Sequence, residues 1–290
     1  MTSIQSYRWL AVVLACCSFS HLAGCEKPTT ETILFEVDRQ QVNDDLPPGL
    51  TENELIESLV IGMDSRLNGE GRVHLLPNGQ IQVDLTGKLN QKQLDAMKRR
   101  VATRGNFEFR ILASPVIVTD KAIVEKALAI APEEKEVVVD GGVVAKWAPC
   151  RDANQGPPDL IVYRTLGVNS SEALALIDPL NVTGEYLRTA EKTAGHAPSY
   201  AGLRLTLSPE GAKLLRKLTS DNQPTPTGER HAMALILDDV ILSAPTINAV
   251  ISDSCILEGM TTEEVDALIA ILNAGTLPLP VREVPKSPTP

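Results

Sequence analysis

The chain has 290 residues, a formal net charge of −10 at neutral pH and only 3% aromatic side chains. That acidic balance with few rings argues against a nucleic-acid partner, which would need a basic face and stacking platforms. The length is enough for two domains.

At the N-terminus, Arg8 precedes an apolar run from Trp9 to Cys17 and then the more polar Ser18 to His21. This is the order of a secretory signal, and the run falls short of the roughly 20 apolar residues of a spanning helix. It ends on Leu22, Ala23, Gly24 and Cys25, and this LAGC resembles the site cut by bacterial lipoprotein signal peptidase, with Cys25 as the lipid acceptor. Residues 1–24 are thus expected to be removed as a lipoprotein signal peptide and residues 25–31 to form a tether. Acyl chains on Cys25 would hold the protein to a membrane, facing the periplasm. Of the other cysteines, Cys16 and Cys17 leave with the signal. Cys150 and Cys255 remain in an envelope compartment, either as one disulfide or as two separate thiols, and the sequence does not choose.

The alternation in Ile33 to Val37 suggests a strand. Thr51 with Glu54 forms a capping-box start for a helix whose stripe is Leu55, Leu59, Met63 and Leu67. Pro77, Asn78 and Gly79 turn a hairpin whose second strand alternates through Ile81, Val83 and Leu85. Asn90 opens a second helix with Leu94, Met97 and Val101 on one face, and NFEFRIL places Phe107, Phe109 and Ile111 on one face of a closing strand. The order βαββαβ predicts a ferredoxin-like base subdomain over residues 32–113.

A less regular middle follows, with a hairpin about Asp140 to Gly142 and a strand in LIVYRTL. GLRLTL then reads as a strand, and Ser208 before Pro209 as a helix start ahead of Ala212, Leu215 and Leu218. Residues 232–247 read as two strands about Asp238 and Asp239. A capping box at Thr261 and Glu264 begins a last helix that Gly275 stops. This order repeats that of the base, so the two ends are expected to be related sandwiches. The whole is an α+β chain: the base, a second α+β head subdomain over residues 114–284, and a disordered tail at 285–290, with the alternative that the last strand returns to complete the base.

No catalytic constellation stands out. His74, His196 and His231 have no zinc-like spacing to cysteines or acids. Asp238 and Asp239 read better as a turn than as an acid and base, and Gly141 and Gly142 lack the ending of a phosphate loop. The expectation is a non-enzymatic protein with no cofactor and no metal.

Five stretches in order, GNFEFRIL (105–112), VTGEYLRTA (182–190), LSPEGAKLLRKLT (207–219), LDDVILSAP (237–245) and LNAGTLPLPV (272–281), resemble segments of the large first periplasmic domain of SecD, the protein-export membrane subunit. With the helix and hairpin of Leu55 to Leu85, the resemblance covers roughly Ile33 to Val284. It implies a base and an inserted head that holds an exported chain and moves relative to the base. Exported polypeptides or Sec translocon components would be its partners, and no catalytic residue comes with it. The sequence departs from the family in two places. The paired glycines of the family's first periplasmic strand are missing from ETILFEVD (31–38), and the chain ends at Pro290, where the family continues into membrane helices. A stand-alone lipoprotein is expected, with the lipid as anchor but not as motor. The alternative is a structural or assembly module that reuses the scaffold within an unrelated envelope complex.

Overall fold

The computed structural model describes residues 29–39, 50–152, 156–167 and 170–285. In chain order the base elements are β1 (Thr29–Val37), α1 (Glu52–Leu67), β2 (Gly71–Leu75), β3 (Ile81–Thr86) and α2 (Gln91–Ala102). The next elements are β4 (Phe107–Leu112), α3 (Lys121–Ala129), β5 (Glu136–Val139), β6 (Gly142–Pro149), β7 (Tyr163–Gly167), β8 (Ser170–Leu176), β9 (Val182–Thr183), β10 (Leu187–Ala194) and β11 (Tyr200–Leu207). The chain closes with α4 (Pro209–Asp221), β12 (Ala232–Leu237), β13 (Val240–Ser243), β14 (Ser254–Thr261), α5 (Thr262–Ala274) and β15 (Val281–Glu283).

The helix starts form where the side chains can satisfy the first free amides. Glu54 N donates to the Thr51 hydroxyl while the Glu54 carboxylate accepts from Thr51 N at 2.8 Å. Asn90 with Gln93 and Thr261 with Glu264 do the same for α2 and α5. Ser208 caps α4, with Pro209 in its first turn, where its missing N–H costs nothing.

The base sheet has strand order β15-β1-β3-β2. Ile33 and Phe35 of β1 and Ile81, Val83 and Leu85 of β3 face α1 and α2, and they bury Leu55, Leu59, Met63 and Val101 between the layers. β1 packs well without a glycine pair, and it is paired on both sides, by β15 and by β3. It begins at Thr29, so the expected tether over 25–31 is already strand in its last residues. The expected signal and Cys25 lie outside the described residues, as do residues 286–290.

Two expectations about topology are corrected. Residues 107–112 do alternate as read, but the strand they form is not the base's last: β4 pairs with β12, β8 and β9 in an eight-stranded sheet. The base is closed by β15, which returns from the far end of the chain beside β1 with Phe35 opposite Glu283. The head is therefore an insertion between α2 and β15, and the expected division at 113/114 places β4 and β15 each in the wrong unit. The physical reason is that alternation fixes which face of a strand is buried and leaves its partner open. Nor is there a second sandwich: β11 pairs with β10 and β14, whereas β12 and β13 join β4.

Phe107, Phe109 and Ile111 of β4 and Met233 and Leu235 of β12 pack against Leu203 and Leu205 of β11 and Leu215 of α4 in the main head core. The opposite face of the large sheet is lined by small side chains, Ala148, Ala173, Ala175, Ala232 and Ala234, beside Leu112 and Ile241. A bridge between Cys150 and Ile241 brings the end of β6 against β13, so the sheet rolls over that face.

Leu279, 3% exposed in the base core, lies on the segment that returns to β15. Leu279→Ala should destabilise the protein by about 2–5 kcal/mol, measured by denaturant unfolding. A base closed by residues 107–112 would tolerate it.

Candidate functional site at the base and head junction

Only two stretches of chain link the base to the inserted head, residues 103–106 outward from α2 and residues 275–280 back from α5. They run beside each other: Leu277 N donates to Arg104 O at 2.7 Å, and the Thr276 hydroxyl donates to Gly105 O at 3.2 Å. One side chain holds both. Arg66, in the last turn of α1 and fully buried, donates through its guanidinium to Thr103 O, to Arg104 O at 3.0 Å and to Gly275 O at 2.8 Å. Gly105 is a neighbour of this fork, with φ +85°. A Cβ there would sit 2.8 Å from Arg66 Nη2, so both its backbone conformation and its lack of a side chain are required.

Asp238 holds the junction from the head side. Its carboxylate accepts from Gly105 N at 3.1 Å and Asn106 N at 2.7 Å, and its own N–H donates to Asn106 O at 2.8 Å. Asp238 and Asp239 both have positive φ, 48° and 64°, in the two-residue turn joining β12 to β13. The turn reading of this pair is thus correct, and the turn also ties the head to the linker. Burial lowers the pKa of Arg66 to about 10, with the Asp238 charge opposing the shift, so the guanidinium stays protonated at neutral pH.

Around the junction, α5 packs against α1 and α2. A polar cleft of about 570 Å³ opens there, lined by Asn68, Glu70, Arg100, Asp266 and Asn273. A second, of about 530 Å³, lies beside the linkers between Asn106, Glu108, Lys146 and Thr276. The linkers are therefore flanked by open volume.

The other candidate residues are scattered. Cys150 and Cys255 are unbridged in this structure and pack against different hydrophobic clusters. Burial pushes the Cys255 thiol up to about 12. His74 is on the edge strand β2, 3.8 Å from Asp84, and His196 stacks on Tyr200. His231 is buried and pairs at 3.1 Å with Asp120, which also accepts from Ser114 N. Gly141 and Gly142 sit in the hairpin between β5 and β6 as expected. Among the described residues no group of His, Cys, Asp or Glu is arranged to hold a metal. Arg66 was not among the sequence candidates. The signal was present, because Arg66 follows Met63 by three residues and so continues the buried stripe of α1 with a charge.

Residues 161–279 match the family model of the SecDF P1 head subdomain. The chain is 28% identical over 261 residues to the protein translocase subunit SecD of Elusimicrobium minutum, an alignment covering 88% of this chain and 50% of that protein. It is 25% identical over 231 residues to SecD of Syntrophobacter fumaroxidans, covering 71% and 42% respectively. The chain thus spans about half the length of the curated relatives it matches. Among solved structures it is similar to SecDF described as a membrane component that enhances protein export, with TM-score 0.52, 21% identity and coverage of 89% of this chain and 100% of that one. It is also similar to SecDF in a super-membrane-facing form, with TM-score 0.53, 21% identity and coverage of 88% and 29%. At that identity the two structures speak for the fold.

Two predictions follow from this geometry. Arg66→Met takes the guanidinium donor from Thr103 O and Gly275 O, while Arg104 O keeps Leu277 N, and should cost about 2–3 kcal/mol. Amide exchange at residues 103–106 and 275–277 should quicken before that of either core, and Arg66→Lys should recover only part of the loss, since an ammonium lacks the planar fork. For Cys255, burial raises the thiol's pKa to about 12 from the ordinary 9.0. Its contribution to stability is full below pH 9 and is lost as pH rises from there towards 12, because the unfolded chain releases its proton first. Urea midpoints from pH 8 to 10.5 should therefore fall more steeply in the parent chain than in Cys255→Ala.

Proposed function

Because the chain is a SecD-like domain, with a P1 head inserted in its base, we propose that it is a non-enzymatic module of protein export, held at a membrane by lipid on Cys25 and facing the periplasm. It binds an exported or unfolded polypeptide, or a Sec translocon subunit, through the head, and the base keeps that head at a set distance from the membrane. The observation that carries the reading is the junction. Two cores joined by two adjacent linkers under one arginine can change orientation without either core unfolding, which suits a part that holds a chain and then releases it.

No helix among the described residues is long and apolar enough to cross a membrane. A proton-driven step needs ionisable groups within the bilayer, and a lipid anchor brings none. Fold alone does not fix function, so the reading depends on what the protein touches in the cell.

The test is in-cell crosslinking of the parent chain and of Cys25→Ser, followed by mass spectrometry of the attached species and fractionation of membranes. Expected are translocon subunits or a spread of partly exported chains on the parent, and loss of both these products and membrane association in Cys25→Ser. A single folded envelope complex, with neither of those, would replace the export reading with that of an assembly module.

A further inference from the structure

The three-stranded sheet of the head has order β10-β11-β14, and its two edges are treated differently. At β10 the outer edge is closed by a side chain. Asn273 of α5 accepts from Ala190 N at 2.8 Å and donates to Ala190 O at 2.9 Å, standing in for a neighbouring strand. At β14 no strand lies beyond the edge among the described residues. An edge strand presents alternate N–H and C=O groups outward, a template for another extended chain.

Along that open edge runs an apolar cavity of about 260 Å³, lined by Met233, Ile247, Ile251, Cys255, Ile256 and Leu257 among others. Its lining comes from residues 254–257 of β14, Met233 of β12 and the segment over 245–251, so it opens beside β14. It is smaller than a typical small-molecule site, and its size suits side chains. Ile256 is 49% exposed beside it and Val250 46%. The lining carries no ionised group, and two exposed carboxylates lie near Ile256: Asp253 just before β14, and Glu258 at the step where the pairing with β11 shifts register.

We propose that the outer edge of β14 is a docking strand for an extended polypeptide segment with an apolar centre and Lys or Arg on its flanks. The segment adds a fourth strand to the sheet, an apolar side chain enters the cavity, and the flanking cations meet Asp253 and Glu258. Main-chain hydrogen bonds give affinity that tolerates many sequences, while the cavity and the two carboxylates set the preference. The inference rests on the reading that the head binds polypeptide, and it adds where and how.

The experiment uses the full chain and three synthetic peptides: Lys-Thr-Val-Thr-Val-Thr-Lys, a copy with alternate backbone nitrogens methylated, and a copy with Glu in place of both Lys. Binding is read by fluorescence anisotropy and by amide exchange with and without peptide. The expected result is binding of the first peptide with slowed exchange in 254–261, and at least tenfold weaker binding of the methylated and the Glu-flanked copies. Ile256→Asp, at an exposed position, should weaken binding of the first peptide to a similar degree while leaving the unfolding midpoint near that of the parent. Equal binding of the methylated copy, or protection elsewhere in the head, would overturn strand addition at β14 while leaving polypeptide binding standing. If none of the peptides binds and crosslinking in cells finds no exported chain, the underlying reading falls as well.

Discussion

A buried guanidinium is costly to place, and its position in this fold is set by three carbonyls that no other group can reach together. Arg66 is removed from water at the end of α1, and what compensates it is backbone: two carbonyls of the outgoing linker and one of the returning linker. The fork geometry of arginine suits this use, since it offers several donors in one plane with fixed directions. The consequence is that residues 103–105 and Gly275 must lie side by side for the base to close, and the head between them must bring its two ends to the same place. Asp238 supplies the opposite charge and ties the head's own turn to the same linker.

The insertion topology follows from that requirement. β15 is only three residues long, yet it completes the base sheet, and Leu277 and Leu279 on its approach are part of the base core. The base cannot be finished until the head has folded or at least until its ends have met. Long-range closure of this kind is entropically expensive in a chain of this length. Hydrogen bonds between the linkers, the Thr276 hydroxyl on Gly105 and the Asn273 clamp on β10 all lie within a few residues of that closure. They tie the returning segment to the outgoing linker and the last helix of the head to β10.

Local structure was legible in the residues because its causes are local. The capping boxes at Thr51, Asn90 and Thr261, the stop at Gly275 and the turn at Asp238 and Asp239 are written in side chains that bond to their own backbone neighbours. Strand partners were not legible. Phe107, Phe109 and Ile111 alternate as any half-buried strand does, and nothing in that pattern says that Leu235 rather than a residue of the base lies opposite Phe109. The junction was hidden for a related reason. Arg66 sits where the stripe of α1 calls for an apolar residue, and its worth becomes visible only when carbonyls nearly 40 and more than 200 residues away are seen to converge on it.

The junction and the head's outer strand differ in how their polar atoms are placed. At the junction the carbonyls of Thr103, Arg104 and Gly275 and the amides of Gly105 and Asn106 are bonded in fixed directions, while Arg66 Nε and Arg104 Nε are buried without a partner. On the head's outer strand the opposite holds, because an open backbone edge and an uncharged cavity impose direction on a partner without naming its sequence. The base sheet is complete only because β15 returns to it beside β1, so the short strand at the end of the chain and the arginine at the end of the first helix serve the same closure.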